Sequence, residues 1–176
     1  MEEVILVNAH DEPIGVMEKM EAHRKGLLHR AFSVFIFNTK GELLLQQRAM
    51  QKYHSAGLWT NTCCSHPRAN ETVVAAAERR LQEEMGFTTP LQKIFDFIYK
   101  APFNNGLIEH EFDHVFVGYY DEAIAPSTDE VHHYCFETMD VIQENLHRQP
   151  HLYTAWFQIA FPKVYAWWQQ QPAFIV

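Results

Sequence analysis

Residues 60–71, TNTCCSHPRANE, place a thiol and an imidazole two positions apart, at Cys64 and His66. Successive side chains of an extended segment point to opposite faces, so these two side chains point to the same face. A thiol can exchange a proton, and an imidazole is a common metal ligand. The spacing therefore predicts one wall of a site that carries both groups.

Two carboxylates farther along the chain, Glu109 and Glu111, have the same spacing on a predicted strand. Neighbouring carboxylates repel each other unless a cation or a shared proton lies between them, which favours a metal site. His23 and His29 lie just ahead of a predicted strand, within reach of the same sheet edge. With His66 they complete a mixed N/O ligand set that suits Mn, Zn or Mg.

A predicted helix over residues 71–85 has one face that is apolar at its start and acidic at its end. Asn70 is predicted to cap this helix, and Gly86 to end it. The side chains on that face fall at spacings of three and four, at Val73, Val74, Ala77, Leu81 and Glu84. A helix that only served the core would not need the acid.

The helix can be aligned with the Nudix box, GX5EX7REUXEEXGU, in which U is a bulky apolar residue. Seven of the nine fixed positions match, at Glu71, Arg79, Leu81, Glu83, Glu84, Gly86 and Phe87. Ser65 replaces the glycine, and Arg80 replaces a glutamate. The glutamates of this motif face a divalent cation that binds a diphosphate. In the alternative interpretation, Glu83 forms an ordinary solvent-exposed ion pair with Arg79 or Arg80 on the helix surface.

The remaining pattern predicts strands interleaved with helices. Strands are predicted at VILVN, near residues 16–17, and at HRAFSVFIF, ELLLQQR, KIFDFIYKA, EHEFDHVFVGYY and VHHYCFE. Residues 18–28 are polar and mixed, and no element is predicted there. DVIQENL is a predicted short helix, and residues 154–170 form a longer one in which Pro162 is expected to cause a kink or break. This order predicts an α/β or α+β sandwich.

The composition narrows the class of protein. The length of 176 residues predicts a single domain over residues 1–176. A net charge of -8 with scattered basic residues argues against a nucleic-acid partner, and no apolar run is long enough for a membrane span. The acidic start of the chain is unlike a secretory signal, so a cytoplasmic location is expected, where three cysteines remain free thiols.

Four segments, EKMEAHRKGLLHRAFS, GLWTNTCCSHP, the degenerate Nudix box and GLIEHEFDHVF, together resemble the type I isopentenyl-diphosphate isomerases in order and separation. The resemblance covers almost the whole chain. It implies a Nudix-type α/β/α sandwich with a mixed sheet, and an enzyme that converts isopentenyl diphosphate to dimethylallyl diphosphate. Arg80 then stands where hydrolases keep a glutamate, which fits a box that binds diphosphate without cleaving it.

The resemblance also implies roles for individual residues. It assigns a tightly bound Mn²⁺ or Zn²⁺ to His23, His29, His66, Glu109 and Glu111. It assigns a substrate-linked Mg²⁺ to Glu84, and diphosphate contacts to Lys19, Arg48, Lys52 and Arg80. The catalytic thiol falls on Cys64, and the pocket aromatics fall on Tyr99 and Trp156. Cys63 receives no role and is expected to be a small buried residue that faces away from Cys64.

The implied mechanism pairs Cys64 with Glu111 as acid and base on opposite sides of the alkene, with Trp156 stabilising the carbocation between them. Two rival functions remain open at this point: a Nudix pyrophosphohydrolase and a catalytically silent Nudix binding module. The expected partner is a small diphosphate substrate, and the chain is expected to act as a monomer or a homodimer.

Overall fold

A mixed nine-stranded sheet forms the centre of the structure, a computed structural model that describes residues 2–172. The strands are β1 (Glu3–Val7), β2 (Pro13–Glu18), β3 (His29–Phe37), β4 (Leu43–Arg48), β5 (Trp59–Thr60), β6 (Cys63–Ser65), β7 (Gln92–Pro102), β8 (Ile108–Tyr119) and β9 (Val131–Glu137). The helices are α1 (Lys19–Lys25), α2 (Val73–Met85), α3 (Met139–Arg148) and α4 (Ala155–Trp168), with a 3₁₀ turn at Pro150–Leu152. Within the described residues, no helix is both long and apolar enough to span a membrane.

Strand β3 organises the sheet because it pairs with four other strands. It runs antiparallel to β1, β4 and β6, and parallel to β8. The parallel register pairs His29 with Glu111, and the antiparallel register pairs Ser33 with Cys64. Backbone pairing thus fixes residues that are far apart in sequence onto neighbouring strands.

Helices cover both faces of the sheet. The side chains of β3 alternate between the two faces and join an apolar cluster on each of them. Phe32, Val34 and Ile36 pack with α2. Phe35 and Phe37 pack against the opposite cluster, which includes α3 and α4. The predicted α/β/α sandwich with a mixed sheet is confirmed.

Helix α1 was not predicted from the sequence, and it carries two of the candidate site residues, Lys19 and His23. The side chain of Glu18 caps it by accepting the backbone N–H groups of Met20 and Glu21. Gly26 ends the helix in the left-handed region with a φ of 62°. A polar helix of only seven residues has too little apolar periodicity to be read from sequence.

Helix α2 begins later than predicted. Its N-cap is Thr72, whose hydroxyl accepts the N–H of Ala75, so the prediction of Asn70 as the cap is wrong. Gly86 ends the helix as predicted, with a φ of 79° and a backbone so close to Ala125 that a Cβ there would lie 2.2 Å from its carbonyl oxygen. Helix α4 runs through Pro162 as one element, so the expected break is absent from it.

Candidate active site

A cavity of about 960 Å³ opens beside the end of α2 and is lined by residues from several strands, helices and loops. It brings together most of the candidate site residues: Lys19, Arg48, Lys52, Cys64, His66, Arg80, Glu84, Tyr99, Glu109, Glu111 and Trp156. The other two, His23 and His29, are fully buried beside His66. The fold therefore gathers every predicted residue into one region.

Four of the predicted metal ligands form a compact group at the buried end of the cavity. His23 comes from α1, His29 from the start of β3, His66 from the residue after β6, and Glu111 from β8. One potential ligand atom from each residue lies within 4.8 Å of the corresponding atoms of the other three. All four residues are buried.

The hydrogen bonds of two histidines fix their tautomers. Nδ1 of His23 lies 2.7 Å from the carbonyl oxygen of Lys19, and Nδ1 of His29 lies 2.8 Å from that of Leu27. A carbonyl oxygen only accepts, so both Nδ1 atoms carry a proton, and in the neutral imidazole each Nε2 atom presents a lone pair. His23 Nε2 is buried with no hydrogen-bond partner among residues 2–172. This donor arrangement fits a divalent cation.

The acceptor atoms converge closely. Nε2 of His66 lies 3.2 Å from Nε2 of His29 and 3.0 Å from Oε1 of Glu111. Oε1 of Glu111 also lies 3.5 Å from Nε2 of His29. Lone pairs and a carboxylate at these separations repel each other unless a proton or a cation lies between them. Three imidazoles and a carboxylate are a ligand set that suits Mn or Zn.

The electrostatics of the group favour neutral imidazole at His23 and His66. Burial lowers the pKa of His23, and it lowers the pKa of His66 to about 4. Burial also opposes the charge on His29, but the hydrogen bond and charge of Glu111 outweigh it and raise the pKa of His29. Burial opposes the charge on Glu111, but the hydrogen bonds and charges of His29 and His66 outweigh it and hold the pKa of Glu111 well below its usual range.

Glu109, the fifth predicted ligand, lies in an adjoining group with His23 and His54 rather than in the compact group of four. The hydroxyl of Tyr99 connects the two carboxylates, at 2.9 Å from Oε2 of Glu109 and 2.6 Å from Oε2 of Glu111. Burial and the charge of Glu111 raise the pKa of Glu109 well above its usual range. A bound cation would reverse that preference, because it stabilises the carboxylate form.

The two adjacent cysteines face different surroundings. Cys63 is fully buried in the cluster under α2, whereas Cys64 lines the cavity. Burial raises the pKa of Cys64, so its sulfur is a thiol near neutral pH. Trp156 closes the same region, with its Nε1–H donating to Oδ1 of Asn61 at 3.2 Å and the Arg48 guanidinium 5.3 Å from its ring centroid.

Three of the four predicted diphosphate contacts are paired with carboxylates. Lys19 Nζ donates to Oε2 of Glu2 at 3.0 Å, and Lys52 Nζ donates to Glu130. Arg80 Nη2 lies 2.5 Å from Oε1 of Glu84 and 3.4 Å from Oε1 of Glu130. Carboxylates thus occupy the charged groups of these three side chains.

Glu84 is the Nudix-box acid that lies buried at the cavity wall. Its Oε2 accepts from Nε2 of Gln46 at 3.0 Å. The other two acids of the box, Glu71 and Glu83, are held by Arg79. Its Oε1 is paired with Arg80, and the cavity that it faces is lined by both carboxylates and basic side chains. Proteins usually bind Mg²⁺ through one or two carboxylates plus substrate phosphates, and a single buried carboxylate beside basic side chains fits that arrangement.

Several residues of the cavity were not predicted from the sequence, among them Glu2, His54 and Glu130. Glu2 forms an ion pair with Lys19, and Glu130 forms one with Lys52. His54 contacts Glu109. None of the three belongs to a motif or has a partner at a regular spacing. His54 lies in the irregular segment between β4 and β5, where no periodicity predicts which way a side chain points.

The family described as NUDIX domain matches residues 27–157. Among solved structures, a protein from Deinococcus radiodurans has a TM-score of 0.79 and 18% identity, with 93% of this chain and 99% of that chain covered. A MutT protein from Methanosarcina mazei Go1 has a TM-score of 0.67 and 20% identity, over 82% of this chain and 96% of that one. These likenesses show the fold, which together with the cavity beside α2 defines a protein of the NUDIX class.

Two curated relatives are much more similar in sequence. The isopentenyl-diphosphate Delta-isomerase of Pectobacterium atrosepticum is 50% identical, over 95% of this chain and 93% of its own length. The isopentenyl-diphosphate Delta-isomerase 2 of Photorhabdus laumondii is 52% identical, over 90% of each chain. The chain belongs to the isopentenyl-diphosphate Delta-isomerase family.

Proposed function

We propose that this enzyme converts isopentenyl diphosphate to dimethylallyl diphosphate, with Cys64 and Glu111 as its acid and base. The observation that carries this proposal is the placement of Cys64 and Glu111 in one cavity, on strands that pair with two different edges of β3. The membership of the chain in the isomerase family supports the choice of substrate.

The reaction moves a double bond by transferring protons. An isolated alkene is a weak base, so a positioned acid adds a proton to its terminal carbon while a positioned base removes one from the allylic carbon. The site supplies both, because burial raises the pKa of Cys64 and the two histidines hold the pKa of Glu111 low. A thiol and a carboxylate therefore start with one exchangeable proton between them, as a 1,3-proton shift requires.

The intermediate is a tertiary carbocation that must not meet water. The buried face of Trp156 contributes about 1 to 2 kcal/mol through a cation–π interaction in a dry pocket. The hydroxyl of Tyr99, which lies 2.6 Å from Glu111, orients that carboxylate toward the substrate. Exclusion of water by these aromatic side chains prevents conversion of the cation to an alcohol.

The diphosphate is held at the other end of the cavity. Lys19, Arg48, Lys52 and Arg80 bind its oxygens, and the lysines and Arg80 exchange their carboxylate partners for it. Glu84 holds the substrate-linked Mg²⁺, which neutralises part of the diphosphate charge when it is bound. Arg80 replaces a Nudix-box glutamate. The guanidinium of Arg80 therefore binds diphosphate at the position where hydrolases have a carboxylate.

The second metal is Mn²⁺ or Zn²⁺, held by His23, His29, His66, Glu111 and Glu109. When bound, it fixes the orientation and basicity of the two carboxylates.

The enzyme acts as a single domain over residues 1–176 in the cytoplasm, as a monomer or a homodimer, and has no nucleic-acid or membrane partner.

One assay separates the proposed activity from its two rivals. The purified protein is incubated with isopentenyl diphosphate and Mg²⁺, and the products are resolved by chromatography. Formation of dimethylallyl diphosphate is expected. Release of phosphate or diphosphate would establish a hydrolase instead, and recovery of unchanged substrate by metal-loaded protein would establish a silent binding module.

Replacing Glu84 by glutamine is expected to raise the Mg²⁺ concentration required for half-maximal activity by at least about tenfold, together with KM for isopentenyl diphosphate. The change removes the negative charge that holds the cation while keeping the hydrogen bond with Gln46 possible. The control is Glu83→Gln, on the same helix, whose carboxylate is bonded to Arg79 and Arg80. Equal Mg²⁺ titrations for the wild type and Glu84→Gln would contradict this role.

A further inference from the structure

His54 is a buried histidine of the cavity that the proposed mechanism does not use. Its ring stacks on Phe103 with centroids 4.6 Å apart and planes at 10°. Edge contacts with Tyr53 and Trp156, at centroid distances of 4.4 Å and 5.9 Å, hold the other sides of the ring. The orientation of His54 is thus fixed although it lies in an irregular segment.

The two ring nitrogens of His54 have different partners. Nδ1 lies 3.2 Å from the hydroxyl of Ser55, and Nε2 lies 3.1 Å from Oε1 of Glu109. When a cation holds Glu109 in its carboxylate form, that group only accepts, so Nε2 of His54 carries the proton and the hydroxyl of Ser55 donates to Nδ1. This tautomer directs an N–H group at Glu109.

Glu109 is consequently held at both of its oxygens. His54 contacts Oε1, and the hydroxyl of Tyr99 lies 2.9 Å from Oε2. One ring nitrogen of His23, one of His54 and a carboxylate oxygen of Glu109 lie within 4.8 Å of one another. Nε2 of His23 is buried with no hydrogen-bond partner among the described residues. We propose that His54 is a positioning residue that orients Glu109 toward the cation held at His23, so that the buried carboxylate completes the metal site.

This inference rests on the proposed function, because it concerns the metal that the isomerase uses. Hydrogen-bond partners of metal ligands fix the direction of the ligand, and their loss typically lowers metal affinity by tenfold to hundredfold. His54 is suited to this task for two reasons. Its ring is immobilised by aromatic contacts, and its second nitrogen has its own partner.

The test compares His54→Phe with His54→Gln. Phenylalanine keeps the aromatic packing but removes the N–H group, and the glutamine amide places an N–H close to the position of Nε2. The apparent Kd for Mn²⁺ is measured on chelator-stripped protein by competition with a fluorescent chelator. His54→Phe is expected to weaken Mn²⁺ binding by tenfold to hundredfold, and His54→Gln by less than about threefold. Exposed His132→Phe on β9 is the control and is expected to bind as the wild type does.

A double-mutant cycle shows whether His54 acts through Glu109. In a Glu109→Gln background, His54→Phe is expected to cause little further loss of Mn²⁺ affinity, because the carboxylate that it positions is already absent. A full additional loss would overturn the proposal, as would unchanged Mn²⁺ affinity in His54→Phe. An equal loss in His54→Gln would also overturn it, since that result indicates direct ligation by the imidazole.

Unfolding temperatures measured with excess chelator show whether each variant folds without metal. If His54→Phe does not fold, His54→Asn replaces it, because its amide is too short to reach Glu109, and the same loss of affinity is expected. Failure of the wild type to retain Mn²⁺ or to form dimethylallyl diphosphate counts against the proposed function. Wild-type affinity in a folded His54 variant counts against the role of His54 alone.

Discussion

Replacing Cys64 by alanine is expected to lower kcat for isomerisation by about 10²- to 10⁴-fold, the usual contribution of a positioned acid or base. Substrate binding is expected to remain nearly unchanged, because the proposed diphosphate contacts come from basic residues elsewhere in the cavity. Product formation and the Kd for isopentenyl diphosphate are measured separately, the latter by calorimetry. The two measurements distinguish a loss of proton transfer from a loss of binding.

The matched control is Cys63→Ala, one residue away in the same strand. Cys63 is fully buried under α2 and faces away from the cavity. Its replacement is expected to lower the free energy of unfolding by about 1 kcal/mol, while kcat stays within about threefold of the wild-type value. An inactive Cys63→Ala enzyme beside an active Cys64→Ala enzyme would show that the wrong thiol has been assigned.

Replacing His66 by alanine is expected to remove the tightly bound metal and at least about 99% of the activity together. His66 contributes one of the converging Nε2 atoms, at 3.0 Å from Glu111 and 3.2 Å from His29. Without it, the metal site has one ligand fewer, and Glu111 keeps His29 but loses His66, the second of the two histidines that hold its pKa low. The measurement is elemental analysis of the purified variant beside a steady-state assay.

Trp156→Ala is the control for this prediction. It is expected to keep about one metal ion per chain but to lose turnover, because Trp156 is proposed to stabilise the carbocation and is not one of the proposed ligands. In the wild type, metal binding is expected to weaken as the pH falls, because protons compete for the imidazole nitrogens. The competition begins at His29, whose pKa Glu111 raises, and reaches His66 at lower pH, because burial lowers its pKa to about 4. A metal-free wild-type enzyme with full activity would disprove the His/Glu site.

Part of the candidate site could be predicted from the sequence because it rests on local spacing. Cys64 and His66 point the same way because they are two residues apart in an extended segment, and the same holds for Glu109 and Glu111. The acidic end of α2 follows from helical periodicity, and Gly86 marks its end. These features depend only on residues within a few positions of each other.

Some local features were not predicted correctly, for identifiable reasons. Helix α1 has only seven residues and is capped by the side chain of Glu18. Its short, mostly polar sequence lacks the apolar stripe that indicates a helix. Two polar residues, Asn70 and Thr72, are both good N-caps, and the structure uses the second. Pro162 does not break α4, because packing of the helix against the sheet outweighs the lost hydrogen bond.

The α/β/α class, the two same-face pairs and the residue types available for a metal and a diphosphate can all be inferred from the amino-acid sequence. How these groups meet depends on the folded chain. The parallel register of β3 and β8 places His29 beside Glu111, although 81 residues separate the register partners, and α1 adds His23 to them. An irregular segment brings His54 to Glu109, and no periodicity encodes such a contact. Long-range pairing and loop packing depend on the whole chain, so local sequence patterns do not specify them.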